Sequence, residues 1–144
     1  MNAAIDFDKI GGFLKEFDHI VFALVFGSAA TGKSNKLSDV DIGIYTTEEL
    51  PLLKLGKMVV GLEKITKTKI DLLVLNDLFK RKPYFAYQVV ASAKLLFTKN
   101  QETFVDFKRN VFLYYLDTKP LIDMMNKSLD KRLRTDAFGE RNYA

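Results

Sequence analysis

The hydrophobic positions change period several times along the chain, and each change marks an element. Ile10, Phe13, Leu14 and Phe17 recur at i, i+3, i+4 and i+7, the stripe of an amphipathic helix that should stop near Asp18. Ile20 to Phe26 is then an unbroken apolar run of seven residues ending at Gly27, the pattern of a strand buried on both faces. Residues 27–38 (GSAATGKSNKLS) are small and polar, with room for one helical turn at Ser28 to Thr31. Val40, Ile42 and Ile44 alternate with Asp39, Asp41 and Gly43, which predicts a strand of period two.

Helical spacing returns with Leu52, Leu55, Val59 and Leu62; Pro51 suits the start of that helix, whereas Gly56 and Gly61 weaken its middle. Ile70 to Leu75 reads as another buried strand. Tyr84 to Ala91 reads as a helix and Lys94 to Thr98 as a short strand. From Glu102 the apolar positions Phe104, Phe107, Val111 and Tyr115 predict a long helix, with a break or kink near Pro120. Leu121, Met125, Leu129 and Leu133 carry the spacing into a basic tail that includes Lys127, Lys131, Arg132, Arg134 and Arg141. Strands interleaved with helices in this order predict an α/β or α+β domain. No repeat, low-complexity tract or Pro/Gly/Ser-rich linker divides the 144 residues, so one domain is expected.

Composition narrows the chemistry. Hydrophobic residues are 48% and charged residues 28%, enough apolar material for a packed core and too little charge for a disordered chain. With no cysteine, a disulfide scaffold, a thiolate zinc site and a cysteine nucleophile are all excluded. His19 is the only histidine, which excludes multi-histidine metal sites, and it reads as structural. The apolar run of seven residues is too short to span a bilayer, and Asp6 and Asp8 near the start do not suit a signal peptide, so the cytoplasm is the expected compartment. A net charge of +4 suits a polyanionic ligand but is common among soluble proteins. Lys80-Arg81-Lys82 before Pro83 is expected to be a solvated loop, with a phosphate contact as its sharper reading.

Two motifs share Gly27. Gly27 to Ser34 fits G-x-x-x-x-G-K-[ST], the phosphate-cradling P-loop, and Leu72 to Leu75 before Asp77 resembles its magnesium-binding strand. A P-loop must open a helix at its lysine and serine, yet the strand-like segment beginning at Ser38 follows Ser34 too closely to leave room for one. The second motif uses more of the chain: Gly27-Ser28, ten residues, then Asp39-Val40-Asp41. Residues i and i+2 of a strand project to one face, so these two carboxylates can hold a hard cation together. Asp71, near the start of an apolar strand, supplies a third if the strands are neighbours. Otherwise Asp39 and Asp41 merely solvate a strand end.

The constellation Gly27-Ser28, Asp39-x-Asp41 and Asp71 resembles the signature of the polymerase-β-type nucleotidyltransferases. The small size resembles their minimal branch, the MNT antitoxins paired with HEPN ribonuclease toxins. Residues 20–75 carry the signature, and Tyr115 to Leu121 with the following helix is more weakly similar. The resemblance implies a nucleotidyltransferase fold: a small mixed sheet flanked by helices over about residues 1–100, with a C-terminal helical extension over about 101–144. It implies that Gly27 and Ser28 meet the phosphates of ATP, and that Asp39, Asp41 and Asp71 bind two Mg2+ ions, Asp71 also helping to deprotonate the acceptor. The implied reaction moves AMP to a hydroxyl, a tyrosine of a HEPN toxin partner, with loss of pyrophosphate. Where many relatives carry arginine after Gly-Ser, this chain has Ala29, Ala30 and Thr31; Lys33 or Lys36 would supply the charge. A non-catalytic antitoxin that neutralises its partner by covering it is the competing expectation. The apolar positions of the C-terminal helix spread over more than one face and suit such an interface.

Overall fold

The computed structural model describes residues 5–27, 30 and 39–135. Its elements in chain order are α1 (Phe7–Lys15), β1 (Ile20–Phe26), β2 (Val40–Thr46), α2 (Leu52–Thr66), β3 (Ile70–Val74), α3 (Leu78–Arg81), α4 (Pro83–Ser92), β4 (Lys94–Thr98) and α5 (Gln101–Thr135). The four strands form one mixed sheet in the order β3-β2-β1-β4. β1 pairs antiparallel with β2 and with β4, while β2 and β3 run parallel.

The expected α/β architecture is therefore present, and the alternation along each strand explains its layers. Ala23 and Val25 of β1, with Val40, Ile42 and Ile44 of β2 and Ile70 of β3, pack on Ile10, Leu14, Met58 and Leu62 of α1 and α2. Phe22, Leu24 and Phe26 face the other way, onto Leu78, Phe79, Ala86, Val89, Phe107 and Val111 of α3, α4 and α5. β1 is central and apolar on both faces because helices cover both. Phe22 anchors the second layer, with ring centroids 5.0 Å from Tyr45, 4.9 Å from Phe104 and 5.5 Å from Phe107.

Local chemistry sets the ends. The Asp6 carboxylate accepts the Lys9 N–H at 3.2 Å and caps α1, with Asp8 in the first turn and Lys15 in the last, the arrangement the helix dipole favours. α1 ends at Lys15, slightly before the expected Asp18, and Phe17 still packs edge-on against Phe13 at 5.3 Å. Asn76 clamps the end of β2, accepting the Thr46 N–H at 3.0 Å and donating to the Thr46 carbonyl at 2.6 Å.

Several expectations change. β3 is an edge strand, so Leu72 to Val74 are only half-buried rather than enclosed. Leu52 does not join the inward stripe of α2: it is 84% exposed, and Met58 and Leu62 are the buried positions. Lys80 and Arg81 lie in the short helix α3 rather than a loop, with Lys80 Nζ 3.9 Å from Asp77 on the surface. α5 runs through Pro120 without a break. His19 sits at the surface as a structural residue would, Nε2 3.3 Å from Glu48 Oε1 and its carbonyl accepting the Thr47 N–H at 2.8 Å.

The two glycines of α2 have different reasons. A methyl group at Gly61 would lie 2.5 Å from Cζ of Phe13, so glycine there lets α1 approach α2. A methyl at Gly56 meets nothing within 4 Å. Gly56→Ala should therefore stabilise the folded chain by about 0.5–1 kcal/mol through helix propensity alone. Urea unfolding checks it, and Gly61→Ala should move the other way.

Candidate functional site

The alternation that buries one face of the sheet directs the acidic residues to the other. Because Val40, Ile42 and Ile44 of β2 and Ile70 of β3 point into the α1/α2 layer, Asp41 and Asp71 project to the opposite face. The parallel register sets Asp41 directly beside Asp71, and the antiparallel register sets it beside Phe26, the last residue of β1. Asp39 is half-buried immediately before β2. Three strands thus bring Gly27, Asp41 and Asp71 to one end of one face.

Gly27 closes β1 with φ +72°, a left-handed conformation that glycine adopts without penalty. Its N–H donates to Ser92 Oγ at 3.2 Å, which ties the turn to the end of α4. A Cβ at this position would lie 2.6 Å from Asp41 Oδ2. The dihedral therefore calls for glycine, and an added methyl would also push the Asp41 carboxylate aside. Gly27→Ala should cost about 1–3 kcal/mol of stability from backbone strain, before the contact with Asp41 is counted. Chemical denaturation reads that loss directly.

Asp41 is the electrostatic centre of the group. Burial raises its pKa above the ordinary carboxylate value, and the negative charges of Asp71 and then Asp39 raise it further. The folded chain thus holds like charges together at a cost, which a cation between them would reverse. A cleft of about 390 Å3 opens beside this group, lined by Phe26, Asp41, Asp71, Leu72, Leu73 and Phe85. Phe26 and Phe85 meet edge-to-face at 6.5 Å and give it an apolar wall.

The carboxylate oxygens suit a hard divalent cation, although no group of three or more acidic or histidine side chains able to enclose a metal is gathered among the described residues. The two observations agree for magnesium. That ion typically takes one or two carboxylates and completes its shell with water and substrate phosphate rather than a protein cage. Asp41 and Asp71, with Asp39 beside them, fit that role.

Of the residues expected from the sequence, the structure brings Gly27, Asp41 and Asp71 to one end of one face and places Asp39 immediately before β2. Ser28, Lys33 and Lys36 lie outside the described residues, as do most of the possible helical turn at Ser28 to Thr31 and, in the basic tail, Arg141. Of that turn Ala30 is described, its N–H donating to the Gly27 carbonyl at 3.2 Å. The strand expected from Val40, Ile42 and Ile44 is present at residues 40–46, antiparallel to β1, and with no helix there the competing P-loop reading is excluded. Ser92 and Phe85 were not singled out from the sequence. Ser92 stands 65 residues from Gly27 with no motif around it, and Phe85 looks like any apolar helix position.

A family model described as "Polymerase beta, Nucleotidyltransferase" matches residues 8–102, a span that includes the glycine turn and all three aspartates. No curated protein matches the chain significantly by sequence. Among solved structures, a toxin–antitoxin with AMP-PNP aligns with TM-score 0.68 and 19% identity over 87% of this chain and 99% of that one. A mutant of the toxin–antitoxin MntA-HpeT aligns with TM-score 0.69 and 17% identity over 87% and 99%. A tri-AMPylated Shewanella oneidensis HEPN toxin in complex with MNT antitoxin aligns with TM-score 0.61 and 17% identity over 85% and 95%. At these identities the likeness is one of fold.

Proposed function

Because the chain belongs to the polymerase beta nucleotidyltransferase family, we propose that it transfers AMP from ATP to a tyrosine hydroxyl of a cognate HEPN toxin, releasing pyrophosphate and silencing the toxin. The observation that carries this reading is the register of Asp41 against Asp71 beside the Gly27 turn. Support for the substrate and partner comes from the solved structures of like fold, which include a toxin–antitoxin with AMP-PNP and a tri-AMPylated HEPN toxin with MNT antitoxin. Residues 1–144 act as one nucleotidyltransferase domain in the cytoplasm, with the extension over about 101–144 facing the partner. Among the described residues no helix is long and apolar enough to cross a membrane. On α5, Phe112, Leu113 and Leu116 are 42%, 52% and 57% exposed, which suits a protein interface.

In this mechanism the Gly27-Ser28 turn receives the β- and γ-phosphates, and Lys33 and Lys36 supply positive charge from the same segment. Asp39, Asp41 and Asp71 would hold two magnesium ions, whose charge would offset that of the triphosphate. Asp71, exposed at the mouth of the cleft, accepts the proton of the tyrosine hydroxyl. The phenolic oxygen forms a bond to the α-phosphorus as the bond from that phosphorus to the bridging oxygen breaks, and pyrophosphate carries that oxygen away.

The apolar surface of α5 also favours a second reading, a non-catalytic antitoxin that neutralises by complex formation. Co-expression with the toxin separates the two. Under the catalytic reading, mass spectrometry finds AMP on a toxin tyrosine, and Asp39→Asn abolishes both the modification and protection of the host. Protection that survives in Asp39→Asn with no AMP on the toxin would establish the binding-only reading.

A further inference from the structure

Sheet register and helix meet at the glycine turn. The β1–β4 ladder pairs Val25 with Lys94, and the same antiparallel register carried onward sets Gly27 opposite Ser92. Ser92 is the last residue of α4, so its main chain belongs to the helix and not to the ladder. Its side chain takes over: Ser92 Oγ accepts the Gly27 N–H at 3.2 Å. The hydroxyl proton goes back into the last turn of α4, where the Gln88 carbonyl lies at 3.2 Å and the Val89 carbonyl at 3.4 Å. The oxygen therefore presents its lone pairs to Gly27. Ser92 is half-buried, and α4 is held by Ala86 and Val89, in the same core layer as Leu24 and Phe26. The hydroxyl is not what docks the helix.

What the hydroxyl fixes is the peptide plane between Phe26 and Gly27. Glycine has the widest choice of backbone conformations of any residue, and this one is held at φ +72°. Ser92 restrains its N–H, and its carbonyl accepts the Ala30 N–H at 3.2 Å. The Asp41 carboxylate stands 2.6 Å from where a Cβ would project. A loop already held in its bound shape spends less binding energy on ordering itself, and that saving appears as ligand affinity. We propose that Ser92 is a positioning residue of the transfer site: without touching substrate, it holds the Gly27 turn in the conformation that receives the nucleotide triphosphate. This rests on the reading of Gly27-Ser28 as the phosphate turn.

Binding and turnover, measured separately on the full-length chain, test it. Calorimetric titration with Mg2+ and α,β-methylene ATP, whose α–β bridge cannot be cleaved, reads affinity without transfer. Removing one hydrogen bond from the turn should weaken that affinity about tenfold in Ser92→Ala. Ser92→Thr keeps the oxygen and should bind as the wild type does. In AMP transfer to the toxin, Ser92→Ala should raise the KM for ATP by the same factor and leave the KM for the toxin unchanged. A serine that only stabilised α4 would act differently: its loss would lower the folded fraction, and with it kcat, and move neither KM. The melting temperature follows that fraction. Equal affinity in the wild type and Ser92→Ala would overturn the proposal. So would a fall in kcat alone, or a Ser92→Thr chain as weak as Ser92→Ala at an unchanged melting temperature. A wild type that binds the analogue more tightly than Ser92→Ala yet transfers no AMP would uphold the role of Ser92 and refute the catalytic reading.

Discussion

Asp41→Asn should abolish nucleotidyl transfer and at the same time make the folded chain more stable at neutral pH. The first effect follows from position: Asp41 joins Asp71 across the β2–β3 register and lies over the Gly27 turn, so in the proposed mechanism it is the carboxylate shared by the metal and phosphate sides of the site. Removing one such electrostatic contact costs roughly 10^2–10^3 in rate, and more where a metal is lost with it. The second effect follows from the raised pKa, whose first cause is burial and whose further causes are Asp71 and Asp39. An acid whose folded pKa lies above its unfolded value holds its proton more firmly when folded. Its contribution to stability is therefore greatest below the ordinary carboxylate value and declines as pH rises toward the raised value. Above that window the full cost of a half-buried, repelled carboxylate is present, and Asn avoids it. The melting temperature of Asp41→Asn should thus exceed that of the wild type near pH 7 and converge with it in acid. Added Mg2+ should raise the melting temperature of the wild type and leave the variant unmoved. A variant less stable than the wild type at pH 7 would contradict the electrostatic account.

Phe22→Ala should have the largest effect on stability. Phe22 is fully buried at the centre of β1 and touches Tyr45 of β2 and Phe104 and Phe107 of α5, so it joins the sheet to the C-terminal helix. Truncation removes the transfer energy of the ring and leaves a cavity between elements whose backbones cannot close on it. A loss of about 3–5 kcal/mol is expected. Against a typical total of roughly 5–15 kcal/mol this leaves a marginal protein. Urea titration should show a lower midpoint, and Phe112→Ala, at a ring 42% exposed, should change it little. A Phe22→Ala chain as stable as the wild type would mean that α5 does not dock on the sheet as described.

Much of this was legible in the sequence because the responsible physics is local. Val40, Ile42 and Ile44 alternate with Asp39, Asp41 and Gly43, and that period assigns the strand, its buried face and the face carrying the carboxylates. The unbroken apolarity of Ile20 to Phe26 marks a strand with helices on both sides. Neighbourhood across the chain is a different kind of information. Nothing in Ile70 to Val74 says that it ends the sheet, since an edge strand and a central one can share a composition when one face is covered by helices. Nor could periodicity find Ser92 holding Gly27, because a serine at a helix end is ordinary and its partner is 65 residues away. Leu52 follows the inward spacing of α2, yet at the first turn of that helix it projects into solvent.

The central claim is transfer of the α-phosphate, and one measurement addresses it most directly. The protein, with its co-purified partner and Mg2+, is given ATP labelled at either the α- or the γ-phosphate. The account predicts α-label retained on the partner, γ-label released only in pyrophosphate, and both signals lost in Asp39→Asn. Release of the γ-label as inorganic phosphate, with no α-label on any macromolecule, would contradict it.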